Sequence, residues 1–207
     1  MHRTRIKICG LTREEDVRAA VSAGADAIGF VFYPPSPRFV SFERAAELAR
    51  LIPPFVTTVG LFVNAGRDYV ENALDAVPLQ VLQFHGDETE ADCVGYGLPY
   101  IKAGRMRPGL DLLKYAASFP CAQGLLLDAF VEGYGGGGET FDWSLIPSGL
   151  PLPLILSGGL HAGNVAEAVR CVQPWAVDVS SGVEAAKGIK DADRITEFVA
   201  GVQNAHG

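Results

Sequence analysis

The sequence predicts an α/β fold, a single-domain (β/α)8 TIM barrel that spans residues 1–207. Short β-branched or leucine-rich runs alternate with helical patterns along the whole chain, and eight such runs are found. The 24 glycines and 13 prolines are spread between these runs as turns, and no shift in composition marks a domain boundary. With 48% hydrophobic residues, the chain can bury a core without disulfides.

The predicted strands are apolar runs bounded by turn residues, and in chain order they cover residues 5–9, 27–32, 57–63, 79–85, 100–105, 124–130, 152–157 and 176–181. Helical patterns follow at residues 14–22, 42–51, 68–76, 89–95, 110–118, 164–172 and 191–201. After the sixth strand comes a glycine-rich loop, followed by a short helical piece at 143–148. An open doubly wound sheet is the alternative, but the first turn, KICGLTR, contains neither GxGxxG nor a P-loop motif.

The charge balance argues against two classes of partner. Lysine and arginine total 17 against 24 aspartate and glutamate residues, which gives a formal net charge of -7, and no basic stripe is present. We therefore expect binding neither to nucleic acid nor to an anionic membrane surface.

Nothing in the sequence predicts export or membrane insertion. The N-terminal segment reaches Gly10 before a long apolar stretch forms, and no later stretch approaches the length of a spanning helix. The four cysteines, Cys9, Cys93, Cys121 and Cys171, stand far apart without a CxxC pair. We expect reduced thiols and a cytoplasmic protein, with monomer and homodimer both left open.

The first strand places two polar side chains inside the predicted barrel. Alternation puts Ile6 and Ile8 on one face, towards the helices, and Lys7 and Cys9 on the other. Cys9 ends the strand at the mouth, where active sites of such barrels lie, and the nearby ammonium is expected to favour its thiolate. The thiolate is a candidate nucleophile or general base; the alternative is a small buried apolar residue.

The sixth strand, GLLLDAF, presents Asp128 near its carboxyl end. Mostly apolar neighbours raise the pKa of a carboxyl group, so that Asp128 is a candidate general acid opposite Cys9. The alternative for Asp128 is a loop cap or an ion pair with a lysine of the barrel.

Two glycine turns predict a phosphate site. Gly158 and Gly159 follow the seventh strand, and Ser181 and Gly182 follow the eighth. Successive backbone NH groups at such turns bind anions, and the loops after these two strands are the usual phosphate station of this fold.

The candidates for substrate contacts are Lys7, Arg38, Gln83, His85 and Asp178. Arg38, in the proline-rich segment YPPSPRFV, is suited to bind a carboxylate. Alternation directs Gln83 and His85 inwards, and Asp178 precedes the second glycine turn. Lys102 is a candidate inward lysine, whose pKa an apolar pocket could lower enough for Schiff-base chemistry.

Metal binding is not predicted. The four histidines, at positions 2, 85, 161 and 206, have no HxxxH or HxH spacing, and none is paired with a cysteine. No nucleotide-cofactor motif is present either.

In order along the chain, the sequence contains KICGLTR, GFVFYPPSPRFV, QFHG, LLLDAF, GGGGETFDW, LSGGL and DVSSGVE, and together these resemble the motifs of the phosphoribosylanthranilate isomerase family over nearly the whole length. The resemblance implies a metal-free and cofactor-free Amadori rearrangement of a phosphoribosyl substrate in tryptophan biosynthesis. It implies Cys9 as general base and Asp128 as general acid. It also implies that Arg38 contacts the anthranilate carboxylate, and that the phosphate is held by Gly158, Gly159, Ser181 and Gly182.

Two segments depart from the family pattern. Family members usually have GGTG where this chain has glycines at 136–138, and often SSPGxKD where it has AAKGIKD at 185–191. Neither departure touches the acid, the base or Arg38, so that loop dynamics rather than the type of reaction are affected.

Three other functions stay open at this point. One is a Schiff-base aldolase with Lys102 as nucleophile, and another is a sensor or scaffold that binds a sugar phosphate without turnover. The third is the related isomerisation of a phosphoribosylated imidazole. Enzymes dedicated to that reaction typically use two aspartates and have two phosphate stations, unlike this chain.

Overall fold

In the computed structural model, which describes residues 3–107, 109–129 and 140–205, parallel strands form a closed barrel. Its eight strands follow chain order, each hydrogen-bonded to the next, and the last pairs with the first. At the closure Lys7 is the register partner of Asp178, while on its other side it pairs with Ala27. The predicted (β/α)8 TIM barrel is confirmed.

The barrel strands are shorter than predicted at several carboxyl ends. They are β1 (Arg5–Cys9), β2 (Ala27–Val31), β3 (Thr57–Phe62), β4 (Val81–Phe84), β5 (Tyr100–Met106), β6 (Gly124–Ala129), β7 (Leu154–Leu156) and β8 (Ala176–Val179). His85, Ser157 and Ser181, which were assigned to strands, lie just beyond them, because the backbone leaves the sheet where the site loops begin.

Seven α-helices occur in the described ranges: α1 (Glu14–Ala23), α2 (Phe42–Ala49), α3 (Arg67–Ala76), α4 (Glu90–Cys93), α5 (Leu112–Ala117), α6 (Val165–Val172) and α7 (Ala192–Asn204). Side chains of Ser41, Asp111 and Asp191 accept hydrogen bonds from backbone NH groups at the starts of α2, α5 and α7. The piece predicted at 143–148 is one 3-10 turn, Trp143–Leu145. The glycine-rich segment 130–139 lies outside the described residues.

The alternation predicted for the first strand holds in the packing. Ile6 and Ile8 are almost completely buried in the core cluster that includes residues of the surrounding helices, such as Val17. Lys7 is also buried, but its ammonium pairs with the side chain of Asp178 across the barrel closure. The apolar core therefore lies mainly between sheet and helices, and the barrel interior carries Lys7 and Asp178 beside a smaller apolar cluster that includes Leu126.

A short antiparallel hairpin lies between β8 and α7 and was not predicted. Its strands are β9 (Glu184–Ala186) and β10 (Ile189–Lys190), and a 3-10 turn at Ser181–Val183 precedes it. Such short strands leave little periodicity to read in a sequence.

Among the described residues, no helix has both the length and the apolar character needed to cross a membrane. The four cysteines, all within the described ranges, are not joined to one another in the structure. The extent of the domain over residues 1–207 stays a prediction.

Candidate active site

A cavity that opens to solvent lies at the carboxyl ends of the barrel strands, and its empty space, with the open mouth included, is about 700 Å³. Its walls combine apolar side chains from β2 and β3 with polar groups from strands and loops on the other sides. Among the predicted site residues, those that line it are Cys9, Arg38, His85, Asp128, Gly158, Gly159, Asp178 and Ser181. The predicted residues outside the lining are Lys7, Gln83 and Gly182.

Cys9 lies above a buried ion pair. Lys7 Nζ is 2.7 Å from Asp178 Oδ1, and both side chains are nearly inaccessible. A Cβ atom built on Gly29 of β2 would come within 2.8 Å of Cys9 Sγ and 3.1 Å of Lys7 Nζ, so the thiol and the ammonium lie side by side where β2 has no side chain. The pair supports the thiol from below, as alternation predicts.

The pKa of Cys9 differs from the prediction. Burial raises it above the ordinary value of 9.0, and Lys7 opposes this shift without reversing it. Burial also opposes the charge of Lys7, but Asp178 outweighs it and holds the pKa of Lys7 above its ordinary value. The expected lowering of the thiol pKa by Lys7 is therefore not met, because burial acts more strongly than the ammonium.

Asp128 stands at the end of a chain of polar contacts that runs through His85 to Gln83. Its Oδ2 is 3.1 Å from His85 Nε2, and His85 Nδ1 is 2.9 Å from the Gln83 amide nitrogen. Leu127, the residue before Asp128, faces the helix layer. The carboxyl group of Asp128 therefore has the His85 imidazole as its neighbour, and not this leucine. The expected apolar surroundings of Asp128 are therefore incomplete, and His85 and Gln83 act as its supports.

Each of the two turns has one glycine at a position where the packing leaves no room for a side chain. Gly158 has a φ of +82°, and a Cβ atom there would lie 2.4 Å from the backbone nitrogen of Ala129. A Cβ on Gly182 would lie 1.9 Å from the carbonyl oxygen of Leu160. The turns after β7 and β8 are thus packed against each other, and they expose backbone beside the cavity as an anion site requires.

Arg38 lines the cavity but already has a carboxylate partner. Its Nε and Nη2 donate to Glu184 Oε1 and Oε2 at 2.7 Å and 2.9 Å, and Lys190 Nζ is 2.9 Å from the same Oε1. Glu184 and Lys190 were missed, although Glu184 ends the motif DVSSGVE. No sequence signal pairs residues 146 positions apart.

The prediction that Lys102 points into the barrel is wrong. Its neighbours Ile101 and Ala103 pack in the barrel interior, so alternation directs Lys102 to the helix side. There its Nζ donates to the carbonyl oxygen of Gly86 at 2.9 Å and to Glu88 Oε2 at 3.1 Å. Lys102 is only 1% exposed and does not line the cavity.

The cavity brings together groups for proton transfer and groups for anion binding. A thiol on β1 and a carboxyl on β6 face one space, with a guanidinium and two glycine turns at its rim. Among the residues that the structure describes, no three histidine, cysteine, aspartate or glutamate side chains are grouped so as to hold a metal ion. The arrangement suits acid–base chemistry on a small phosphorylated molecule that carries a second anionic group.

Comparisons with known proteins agree with this arrangement. The family model described as N-(5'phosphoribosyl)anthranilate (PRA) isomerase matches residues 6–201. A protein of that name from Dechloromonas aromatica is 68% identical over 203 residues, which are 98% of each chain.

Solved structures agree as well. Phosphoribosyl anthranilate isomerase from Thermus thermophilus has a TM-score of 0.88 at 35% identity, over 97% of this chain and 99% of that one. A phosphoribosyl anthranilate isomerase in complex with reduced 1-(o-carboxyphenylamino)-1-deoxyribulose 5-phosphate has a TM-score of 0.83 at 40% identity, with the same coverage. The chain belongs to the phosphoribosylanthranilate isomerase family.

Proposed function

We propose that this protein is the phosphoribosylanthranilate isomerase of tryptophan biosynthesis. It converts N-(5-phosphoribosyl)anthranilate to 1-(2-carboxyphenylamino)-1-deoxyribulose 5-phosphate by an Amadori rearrangement without metal or organic cofactor. The observation that carries the proposal is the cavity shared by Cys9 of β1 and Asp128 of β6, with the glycine turns of β7 and β8 at its rim. Membership of the family supports the choice of substrate.

Asp128 begins the reaction as the general acid. It donates a proton to the furanose ring oxygen, the bond from C1 to that oxygen breaks, and the ring opens to a protonated Schiff base within the substrate. Cys9 then removes the C2 proton, and the electron pair of the broken C2–H bond moves towards the nitrogen cation. The resulting enolamine loses its hydroxyl proton and gains one at C1 to become the ketone. The substrate's own nitrogen is the electron sink, so no cofactor is needed.

Cys9 must lose its proton before it can act as the base. Burial raises the pKa of Cys9, whereas the ammonium groups of Lys7 and Lys190 favour the thiolate. Asp178 holds Lys7 in place at 2.7 Å. The buried pair of Lys7 and Asp178 therefore supports Cys9 as the base. Asp178 also lines the cavity, and there its carboxylate contacts a hydroxyl group of the substrate.

The two ends of the substrate bind to different groups at the rim. The phosphate binds to backbone NH groups of Gly158, Gly159, Ser181 and Gly182, where a helix start or turn presents several donors together. The anthranilate carboxylate binds to Arg38. His85, supported by Gln83, holds Asp128 towards the sugar.

The other candidate functions find less support. Lys102 lies on the helix side of β5, where no substrate in the cavity can reach it, so a Schiff-base aldolase lacks its nucleophile. A binding-only protein has no use for an acid and a base in one cavity. We propose the tryptophan-pathway substrate rather than the imidazole, because the first-strand base is a cysteine. A cytoplasmic location is likewise part of the proposal.

Turnover of freshly prepared phosphoribosylanthranilate, followed by the decay of its fluorescence with a chelator present, tests the proposal. We expect fast decay with the wild type and a fall in kcat of roughly 100-fold or more in both Cys9→Ser and Asp128→Asn, because each removes one proton-transfer group. Matched controls are Cys171→Ser and Asp75→Asn, which change the same residue types at exposed positions.

Unchanged turnover in Cys9→Ser or Asp128→Asn would refute the assigned roles. No decay with the wild type would refute the reaction itself. Loss of wild-type activity on adding the chelator would show that a metal takes part.

A further inference from the structure

A buried charge cluster joins the loop after β2 to the hairpin after β8. Glu184, 7% exposed, accepts hydrogen bonds from Arg38 on both carboxylate oxygens and from Lys190 on one of them. Burial raises the pKa of Glu184, but the two cations outweigh it and hold that pKa below its ordinary value of 4.5. The carboxylate therefore remains charged, and with two cations the cluster carries one excess positive charge.

The contact with Glu184 determines which part of the guanidinium is left for a ligand. It uses the edge formed by Nε and Nη2, and Nη1 makes no hydrogen bond to any residue that the structure describes. A guanidinium has five NH donors in one plane, so an end formed by Nη1 and the second hydrogen of Nη2 remains. That end has the geometry for a second, bidentate carboxylate.

The hairpin that carries Glu184 is itself fixed by the loop after β1 and the first turn of α1. Thr12 Oγ1 donates to the carbonyl oxygen of Gly188 at 2.8 Å, and the backbone NH of Lys190 donates to Asp16 Oδ2 at 3.2 Å. Glu184 directly follows the 3-10 turn that begins at Ser181, next to the second glycine turn. One segment therefore links the candidate phosphate site to Arg38.

We propose that Glu184 is a positioning residue for substrate recognition. It fixes the plane of the Arg38 guanidinium so that the free end of the guanidinium donates hydrogen bonds to the carboxylate on the aromatic ring of the substrate. This inference rests on the proposed function, and it adds a residue that acts through Arg38 without touching the substrate. The hairpin thereby sets the distance between the phosphate and carboxylate contacts, and so selects substrates with both groups.

The test compares two ligands by isothermal titration calorimetry. One is reduced 1-(o-carboxyphenylamino)-1-deoxyribulose 5-phosphate, and the other is the same compound without the ring carboxylate. Their ratio of Kd values measures recognition of the carboxylate alone, because the phosphate and sugar are common to both. In the wild type we expect the carboxylate to improve affinity by roughly 10- to 100-fold.

In Glu184→Gln this ratio is expected to fall about tenfold, because an amide offers only one acceptor and its NH2 group faces two cations. Glu184→Asp keeps the charge and restores most of the ratio. Arg38→Met brings the ratio close to one, and adding Glu184→Gln to Arg38→Met changes it no further, as expected if Glu184 acts through Arg38. Glu197→Gln, an exposed position on α7, is the matched control.

Arg38→Lys provides a second test that keeps Glu184. A lysine has one point of contact, which Glu184 occupies, so the ratio is expected to fall about tenfold here too. Equal weakening of both ligands in Glu184→Gln, or a full ratio in Arg38→Lys, would overturn the inference. If the wild type binds neither ligand, the proposed function itself fails.

Discussion

Opposing effects act on the thiol of Cys9 within a few ångströms. Burial disfavours the thiolate, whereas Lys7 favours it, and Asp178 reduces the effect of Lys7 by neutralising it. Because burial is the largest of these effects, the pKa of the thiol lies above its ordinary value. The Lys7 and Lys190 ammoniums oppose burial and so reduce the cost of forming the thiolate that the proposed reaction requires.

The titration of Cys9 follows from this balance. The difference in ultraviolet thiolate absorbance between the wild type and Cys9→Ser is expected to show a midpoint above 9.0, because burial raises the pKa of the thiol. Lys7→Met removes the opposing cation and moves the midpoint further upwards. The difference between wild type and Cys171→Ser, an exposed cysteine, serves as the reference titration. A Cys9 midpoint below 9.0 would contradict the assigned balance.

At the residue scale, the sequence predicts positions better than energies. Alternation correctly places Cys9 and Asp128 at one cavity, because a strand of known phase has only two faces. The sign of the pKa shift of Cys9 was wrong, since it depends on the depth of burial, which a sequence does not encode locally. Lys102 was assigned to the wrong face because the strand around it, YIKAGRM, lacks a clear alternation.

At the scale of elements, the turn after β7 combines an unusual backbone with close packing. Gly158 has positive φ, and its Cα approaches Ala129 of β6. A side chain there would both strain the turn and push it away from β6. The position of the candidate phosphate site thus depends on contact between two neighbouring strand ends.

Gly158→Ala tests this dependence against Gly24→Ala. Gly24 also has positive φ, at +97°, but a Cβ atom there meets nothing within 4 Å. Gly24→Ala is expected to lower the free energy of unfolding by about 1 kcal/mol, the cost of left-handed backbone for alanine. Gly158→Ala is expected to cost roughly 2 kcal/mol more, because the methyl group overlaps backbone. Urea unfolding measures both values, and equal losses would show that the close approach is unimportant.

The same substitution separates the site from the fold. Gly158→Ala is expected to weaken binding of inorganic phosphate about tenfold or more, whereas Gly24→Ala leaves it unchanged. Retained phosphate affinity in Gly158→Ala would show that the phosphate does not bind at the turn after β7.

Element boundaries show where sequence reasoning ends. The eight strands were found in the right order, because apolar runs and turn residues mark them. Their carboxyl ends were placed too late at His85 and Ser181, since loops that line a site continue the polar and apolar character of the strand. The hairpin β9–β10 was missed, so its contribution to the site, Glu184, was missed as well.

At the scale of the whole molecule, another buried ion pair joins three consecutive βα units away from the cavity. Glu88 accepts hydrogen bonds from the backbone of Asn64 after β3 and of Gly86 after β4, and it pairs with Lys102 of β5. Its side chain is 3% exposed and that of Lys102 is 1% exposed. The pair closes one wall of the barrel, just as Lys7 and Asp178 connect its first and last strands.

A substitution of Lys102 is therefore expected to lower the free energy of unfolding while it leaves kcat nearly unchanged. Lys102→Met leaves the Glu88 carboxylate buried without its cation, which is expected to cost about 3–5 kcal/mol in free energy of unfolding. Lys102→Met combined with Glu88→Gln is expected to regain part of that loss, because no unpaired charge remains. Below the lowered melting temperature, kcat should stay within about threefold of the wild type, since Lys102 does not line the cavity.

Borohydride treatment with substrate present provides the second readout at this position. No reduced adduct on a lysine is expected in the wild type, because the Amadori reaction keeps its Schiff base within the substrate. An adduct that disappears in Lys102→Met, together with lost turnover, would instead assign the chemistry to this lysine. The fold would then be retained while the reaction changed, because strand order fixes the barrel but individual side chains determine its chemistry.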